Sequence, residues 1–209
     1  AVGPAASGVY DSRILPEILK YIKQILTIIK NIHGKGWAHR DIKLENIMVD
    51  EKDDCHIIDL GLAVNVGNPL LQKEYNYTCK NVRGTAQYAA PEIVNPVYID
   101  SEEPFDCRKA DIFAAGVVLF SMLCGKPVSK GRGGGGIGPN ASGIGPEHPI
   151  GNPIKGSIED IILNFDLTKI QGCPHIKYKA RSDEVIKKLM TLVQKMLNPI
   201  MDERASVDD

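Results

Sequence analysis

Apolar residues recur at helical spacing from Pro16 onward, at Leu19, Ile22, Ile25, Leu26, Ile29 and Ile32, and the pattern stops at Gly34. Positions three and four apart share one face of a helix, so the stretch predicts a well-buried amphipathic helix with Pro16 tolerated in its first turn. The period then changes. Ile47-Met48-Val49 and His56-Ile57-Ile58 are short apolar runs on either side of the charged stretch Asp50 to Asp54, which predicts a hairpin of two short strands. From Leu62 to Ala89 the chain is polar, without sustained periodicity, and carries hydroxyls at Tyr75, Tyr77, Thr78, Thr85 and Tyr88. Asp111 to Leu123 is apolar on nearly every side, as expected of a helix buried in a domain centre, and Gly125 ends it. Gly131 to Gly151 is low in complexity and is expected to be a flexible insertion. Ser157-Ile158-Glu159-Asp160 has capping-box spacing before Ile161, Ile162 and Phe165, which predicts a short helix. Ile186, Leu189, Met190, Val193, Met196 and Leu197 give a last helical face. The expected fold is mainly α with a small β-hairpin: an irregular lead-in over residues 1–15, then one unit over 16–209 with the insertion at 131–151.

Composition narrows the chemistry. With 209 residues, 43% of them hydrophobic, a core is not limited by size. A net charge of −1 supplies no global field to recruit nucleic acid or an anionic membrane, so any substrate preference must be local. Cys55, Cys79, Cys107, Cys124 and Cys173 are odd in number, well separated and free of any C-x-x-C pair. That argues against a disulfide framework or a zinc site and for a reducing compartment. Without a signal-peptide pattern or an apolar run long enough to span a bilayer, the chain is expected to be soluble and intracellular, in the cytoplasm, with the nucleus left open. It begins at Ala1 and not with a methionine, as a processed or cropped chain would.

The densest chemistry lies between Ala38 and Val49. Asp41 is placed to accept a proton from an attacking hydroxyl, Lys43 to neutralise charge on a moving phosphoryl group, and Asn46 to bind Mg²⁺ through its side-chain oxygen. The H-R-D-x-K-x-x-N spacing resembles the catalytic loop of protein kinases, and the expected fold is then a protein-kinase-like C-terminal lobe, part of an α+β fold. In that family a Lys two residues after the Asp is the serine/threonine form. Further motifs follow in order. Asp59-Leu60-Gly61 resembles D-F-G with Leu for Phe, which implies that Asp59 holds Mg²⁺ between phosphates and that Gly61 lets the backbone turn sharply. By the same resemblance Met48 lies under the adenine ring of ATP, although its own sequence context reads as a core strand position.

Gly84-Thr85-Ala86-Gln87-Tyr88-Ala89-Ala90-Pro91-Glu92 resembles the end of a kinase activation segment, where the Thr hydroxyl meets the catalytic Asp and Lys. Thr85 is thus a positioning residue. Arg40 is the residue that pairs with a phosphorylated activation loop in many such enzymes, with Thr78 the candidate acceptor; the alternative is that Thr78 is only an exposed loop residue. Asp111 sits where kinases place an acid that hydrogen-bonds the catalytic-loop backbone, and it also reads as an N-terminal helix cap. The resemblance pairs Arg204 with Glu92 in a largely buried bridge bracing the activation segment.

The Gly-rich phosphate loop, strand lysine and helix glutamate that precede this lobe in protein kinases have no counterpart here. Lys20, Lys23 and Lys30 fall on the first helix, without strand context. Gly131 to Gly136 satisfies G-x-G-x-x-G but follows a buried helix and opens none, so it is rejected as a nucleotide loop. Two readings result. In one, the chain is part of a Ser/Thr kinase that uses ATP and Mg²⁺ on a protein substrate with a Ser or Thr acceptor. In the other, it is a catalytically weak or inactive kinase-like module whose nucleotide-facing surface needs a partner to cover it. Phosphorylation of a small molecule fits less well, because Thr85 and Ala90-Pro91-Glu92 resemble a peptide-positioning segment. Glu45 would favour a basic residue near the acceptor.

Overall fold

The computed structural model describes residues 15–66, 84–85, 88–94, 105–124 and 184–209. The expectations for the lead-in up to residue 14, for Thr78, for the Gly-rich stretch and for a helix after Ser157 lie outside the described residues, while Leu15, expected in the lead-in, already belongs to the first helix. The helices are α1 (Leu15–Gly34), α2 (Pro91–Val94), α3 (Cys107–Cys124) and α4 (Glu184–Met196). The strands are β1 (Trp37–Ala38), β2 (Ile47–Val49), β3 (Cys55–Ile57) and β4 (Val64–Asn65), paired antiparallel as β1 with β4 and β2 with β3. Helices dominate, and the hairpin is present as expected.

The buried face of α1 is Leu15, Ile18, Ile22, Ile25, Ile29 and His33, a stripe stepping by three or four residues. Leu19 is a correction: it stands about a quarter-turn from Ile18 and is 37% exposed, while Ile18 takes the inner position. The chain reverses two residues past Gly34, at Gly36 with φ 77°. α3 packs against both α1 and α4 and is buried all round from Asp111 to Ser121. Gly116 explains how close α4 comes, because a Cβ there would meet Met196 Cβ and Leu197 Cδ2 at 2.9 Å. α3 also starts earlier than expected. Asp106 caps it, accepting from the Arg108 amide at 2.9 Å, so Asp111 lies a turn inside the helix and is not its cap.

The first strand of the hairpin lies where expected and the second starts one residue earlier, at Cys55, with Val49 opposite Cys55 and Ile47 opposite Ile57. The turn decides this. Asp50 Oδ1 accepts from the Lys52 and Asp54 amides at 2.9 and 3.0 Å, and Asp53 takes a left-handed conformation, φ 67°. Three residues of α1 grip that turn. Lys20 Nζ and the Tyr21 hydroxyl both reach the Asp53 carboxylate, and Gln24 Oε1 accepts from the Cys55 amide at 2.6 Å. The Asp53 hydrogen bond pushes the Tyr21 hydroxyl up to about 12.

Candidate active site

The loop leaving β1 is bolted to α3 by one carboxylate. Asp111 is 1% exposed, and its Oδ2 and Oδ1 accept from the backbone amides of His39 and Arg40, both at 2.7 Å. Arg40 has φ 68°, a conformation that costs a non-glycine residue about 1–3 kcal/mol. Charge-assisted hydrogen bonds of about 1.5–3 kcal/mol each are enough to hold it there. His39 is wholly buried just before it. Its Nδ1 accepts from the Asp41 amide at 3.3 Å, so Nε2 carries the proton and donates to the Ile58 carbonyl at 3.2 Å. The strained turn leads directly into Asp41.

Asp41 meets three groups there. Its Oδ2 accepts from Lys43 Nζ at 2.6 Å and from Asn46 Nδ2 at 3.1 Å, and its Oδ1 accepts from Thr85 Oγ1 at 3.1 Å. Lys43 Nζ also donates to Thr85 Oγ1 at 3.0 Å, closing a ring of carboxylate, ammonium and hydroxyl. Asn46 Nδ2 reaches the Asp41 carbonyl as well, at 2.9 Å. Both amide hydrogens are then directed at Asp41, and the Asn46 side-chain oxygen is left as the acceptor. Gly84 lets the Thr85 segment approach. It has φ 129°, and a Cβ there would meet the Arg40 carbonyl oxygen at 3.1 Å.

Asn46 and Asp59 come from the two ends of the hairpin, tied by the Ile58 amide donating to the Asn46 carbonyl at 2.9 Å. The sharp turn expected at Gly61 falls on Asp59 itself, with φ 66° and ψ 76°. Gly61 instead donates its amide to Asp59 Oδ1 at 3.2 Å, an approach a side chain would crowd. Two hard oxygen ligands suit Mg²⁺, which keeps waters and substrate phosphates as its other ligands. No group of three or more His, Cys, Asp or Glu that could hold a metal occurs among the described residues. Met48 is a second correction. It is not in the core but 53% exposed, because β2 turns that side chain away from the helices; Ile58 and Leu60 are exposed too, at 44% and 63%.

Arg204 and Glu92 form the expected bridge, bidentate at 2.6 and 2.8 Å and buried on both sides. The Arg204 guanidinium also donates to the carbonyls of Asn198 and Lys109 and lies 5.0 Å from the Phe113 ring centroid. Three residues were given no role on sequence grounds. His39 orders the turn. His33 Nε2 lies 2.9 Å from Asp111 Oδ2, and its place on the buried stripe of α1 was the available signal. Tyr88 donates to Glu45 Oε2 at 3.3 Å, and burial raises its hydroxyl above the ordinary range.

The family model described as protein kinase domain matches residues 7–209. The chain is 38% identical over 119 residues to calcium-dependent protein kinase 5 of Plasmodium berghei, covering 56% of this chain and 18% of that protein. It is 37% identical over 106 residues to the yeast fatty acyl-CoA synthetase and RNA processing-associated kinase 1, covering 51% and 11%. Against CBL-interacting serine/threonine-protein kinase 13 of Arabidopsis thaliana it is 34% identical over 106 residues, covering 51% and 19%. The matched stretch thus spans less than a fifth of the length of each of these three relatives. No helix among the described residues is long and apolar enough to cross a membrane.

Proposed function

The chain belongs to the protein kinase domain family, and from that premise we propose that it transfers the γ-phosphoryl group of ATP to Ser or Thr hydroxyls of a protein substrate, with its described residues making up the lobe that carries the phosphotransfer loop. The observation that carries this reading is the ring of Asp41, Lys43 and Thr85, closed at 2.6 to 3.1 Å. Asp41 orients the acceptor hydroxyl and takes its proton. Lys43, already against Asp41, balances negative charge as the phosphoryl group arrives. Thr85 holds both and brings the end of the activation segment to the acceptor. A Lys at this position and the serine/threonine-protein kinase among the relatives support the Ser/Thr assignment. Asn46 and Asp59 are the residues that would hold Mg²⁺, which when bound with ATP shields phosphate charge and aligns the leaving group. Met48 and Ile58 offer an apolar surface beside them for the base.

The test is phosphate transfer from labelled ATP to peptides that differ only in a Ser, Thr or Tyr acceptor. Asp41→Asn should abolish transfer with little change in the unfolding temperature; unchanged turnover would remove Asp41 from its role. Mg²⁺-dependent ATP binding, read by calorimetry, should be lost in Asp59→Ala.

The exposure of Met48, Ile58 and Leu60 favours a second reading, a weakly active or inactive module that needs a partner over this face. Binding of a partner without any phosphate transfer would decide for it.

A further inference from the structure

We infer that Asp53 is a positioning residue for the metal-holding pair Asn46 and Asp59, acting through the hairpin that it clasps to α1. The consequence for nucleotide binding rests on the kinase reading above; the clasp itself does not.

Asp53 stands where a side chain is a burden to the backbone. Its φ of 67° lies in the left-handed region, which a glycine enters freely and an aspartate only at a cost. Both oxygens of the carboxylate are taken by another element. Oδ2 accepts from Lys20 Nζ and Oδ1 from the Tyr21 hydroxyl, both on α1. The turn closes without that side chain, because Asp50 Oδ1 takes the Lys52 and Asp54 amides and the Asp50 carbonyl takes the Asp53 amide at 3.0 Å. A strained residue whose side chain does not serve its own turn is accounted for by what it holds elsewhere.

What it holds is the tip of a short lever. β2 and β3 have three residues each, too few for a two-stranded hairpin to keep its shape unaided. Glu51, Lys52, Asp53 and Asp54 are exposed, so burial does not seat the tip. Among the described residues it is tied to the helical body by Lys20, Tyr21 and Gln24, the last also donating to Asp54 Oδ1 at 3.3 Å. α1 is itself fixed at this level by Ile22 and Ile25, buried on its other side. At the opposite end of the hairpin the Ile58 amide donates to the Asn46 carbonyl, next to both metal-holding residues. A clasped tip therefore fixes how the two strands twist, and the twist sets the separation of the Asn46 and Asp59 side chains. Mg²⁺ demands near-octahedral geometry, so a rocking hairpin weakens its hold. The Lys20 and Asp53 side chains are 43% and 52% exposed, which makes the expected effect a few-fold one.

Two sets of substitutions remove the clasp from opposite sides. Asp53→Gly relieves the backbone as well, whereas Lys20→Met with Tyr21→Phe leaves Asp53 in place. Amide hydrogen exchange on the whole chain is the first readout. Exchange at Ile58 should speed up about threefold in either variant with α3 unchanged, and combining all three substitutions should add nothing further. Wild-type exchange at Ile58, acceleration confined to residues 51–54, or full additivity of the two sets would each overturn the inference. ATP binding is then titrated by calorimetry across Mg²⁺ concentrations. The Mg²⁺ concentration for half-maximal binding should rise about threefold in both variants. An unshifted midpoint in variants that loosen Ile58 would leave a clasp without a positioning role and overturn the inference as well. If the wild type binds no ATP at any Mg²⁺ concentration, the kinase reading fails, and exchange at Ile58 alone decides whether the clasp orders the far end of the hairpin.

Discussion

Replacing Arg204 by alanine strands a carboxylate. The side chains of Arg204 and Glu92 are 0% and 3% exposed, so what the substitution leaves behind outweighs what it removes. Forming such a pair comes near to break-even, since both charges give up water to meet. Breaking it does not, because Glu92 would lose donors at 2.6 and 2.8 Å and remain buried. That situation costs about 3–5 kcal/mol. The carbonyls of Asn198 and Lys109 lose donors as well, and Phe113 loses the cation on its face. These smaller losses hang on the same guanidinium and do not add in full. With a urea slope of about 2 kcal/mol per molar, the unfolding midpoint should fall by about 1.5–2.5 M. The assay is urea unfolding followed by fluorescence of Trp37, the single tryptophan. Arg204→Met combined with Glu92→Leu should recover most of the loss, because it removes both charges and keeps volume. A midpoint shift under about 0.5 M for Arg204→Ala would refute the stranded-charge argument. A double variant as unstable as the single one would assign the loss to packing.

Two more outcomes follow from the clamps at either end of α1. Asp111→Asn puts an amide NH₂ where one of the His39 and Arg40 amides must donate, so it should cost about 2–4 kcal/mol in urea unfolding and depress turnover; wild-type stability would show that the carboxylate is not holding the turn. The Tyr21 hydroxyl is raised from 10.0 to about 12, chiefly by its hydrogen bond to Asp53. A raised folded-state value means that its contribution to stability is complete below pH 10 and disappears as pH rises through 12. The difference in stability between wild type and Tyr21→Phe should therefore shrink across that window, and a constant difference would discard the linkage.

The loop proposed for phosphotransfer was legible because its residues are local. Asp41, Lys43 and Asn46 are within six residues of one another, so their identity and spacing can be read along the chain. Thr85, Glu92 and Arg204 were legible only by resemblance, since nothing in their local pattern says that a hydroxyl 44 residues away meets Asp41 or that residues 112 apart form a bridge. The hairpin's first strand falls where the pattern put it, and its second begins one residue earlier. Its apolar run includes Ile58, whereas its register is set by Asp50 and the left-handed Asp53. Asp111 meets the loop backbone, as the resemblance implies, but the alternative reading of it as a helix cap fails because α3 already starts at Cys107, capped by Asp106.

By itself the sequence determined what depends on neighbours along the chain: the helical period of α1 with Ile22, Ile25 and Ile29 on its buried face, the apolar run of α3 from Ile112 to Phe120, and the identity and spacing of the loop's acid, cation and amide. Periodicity and turn chemistry act over a few residues, so a string of letters can carry them. Tertiary structure alone decided which side chains are shared between elements. The partnership of His33 with Asp111, the grip of Lys20, Tyr21 and Gln24 on the hairpin turn, and the outward face of Met48 each depend on where a second element packs. Burial and hydrogen bonding at those points are properties of a pair of surfaces, and the order of residues along one of them does not contain the other.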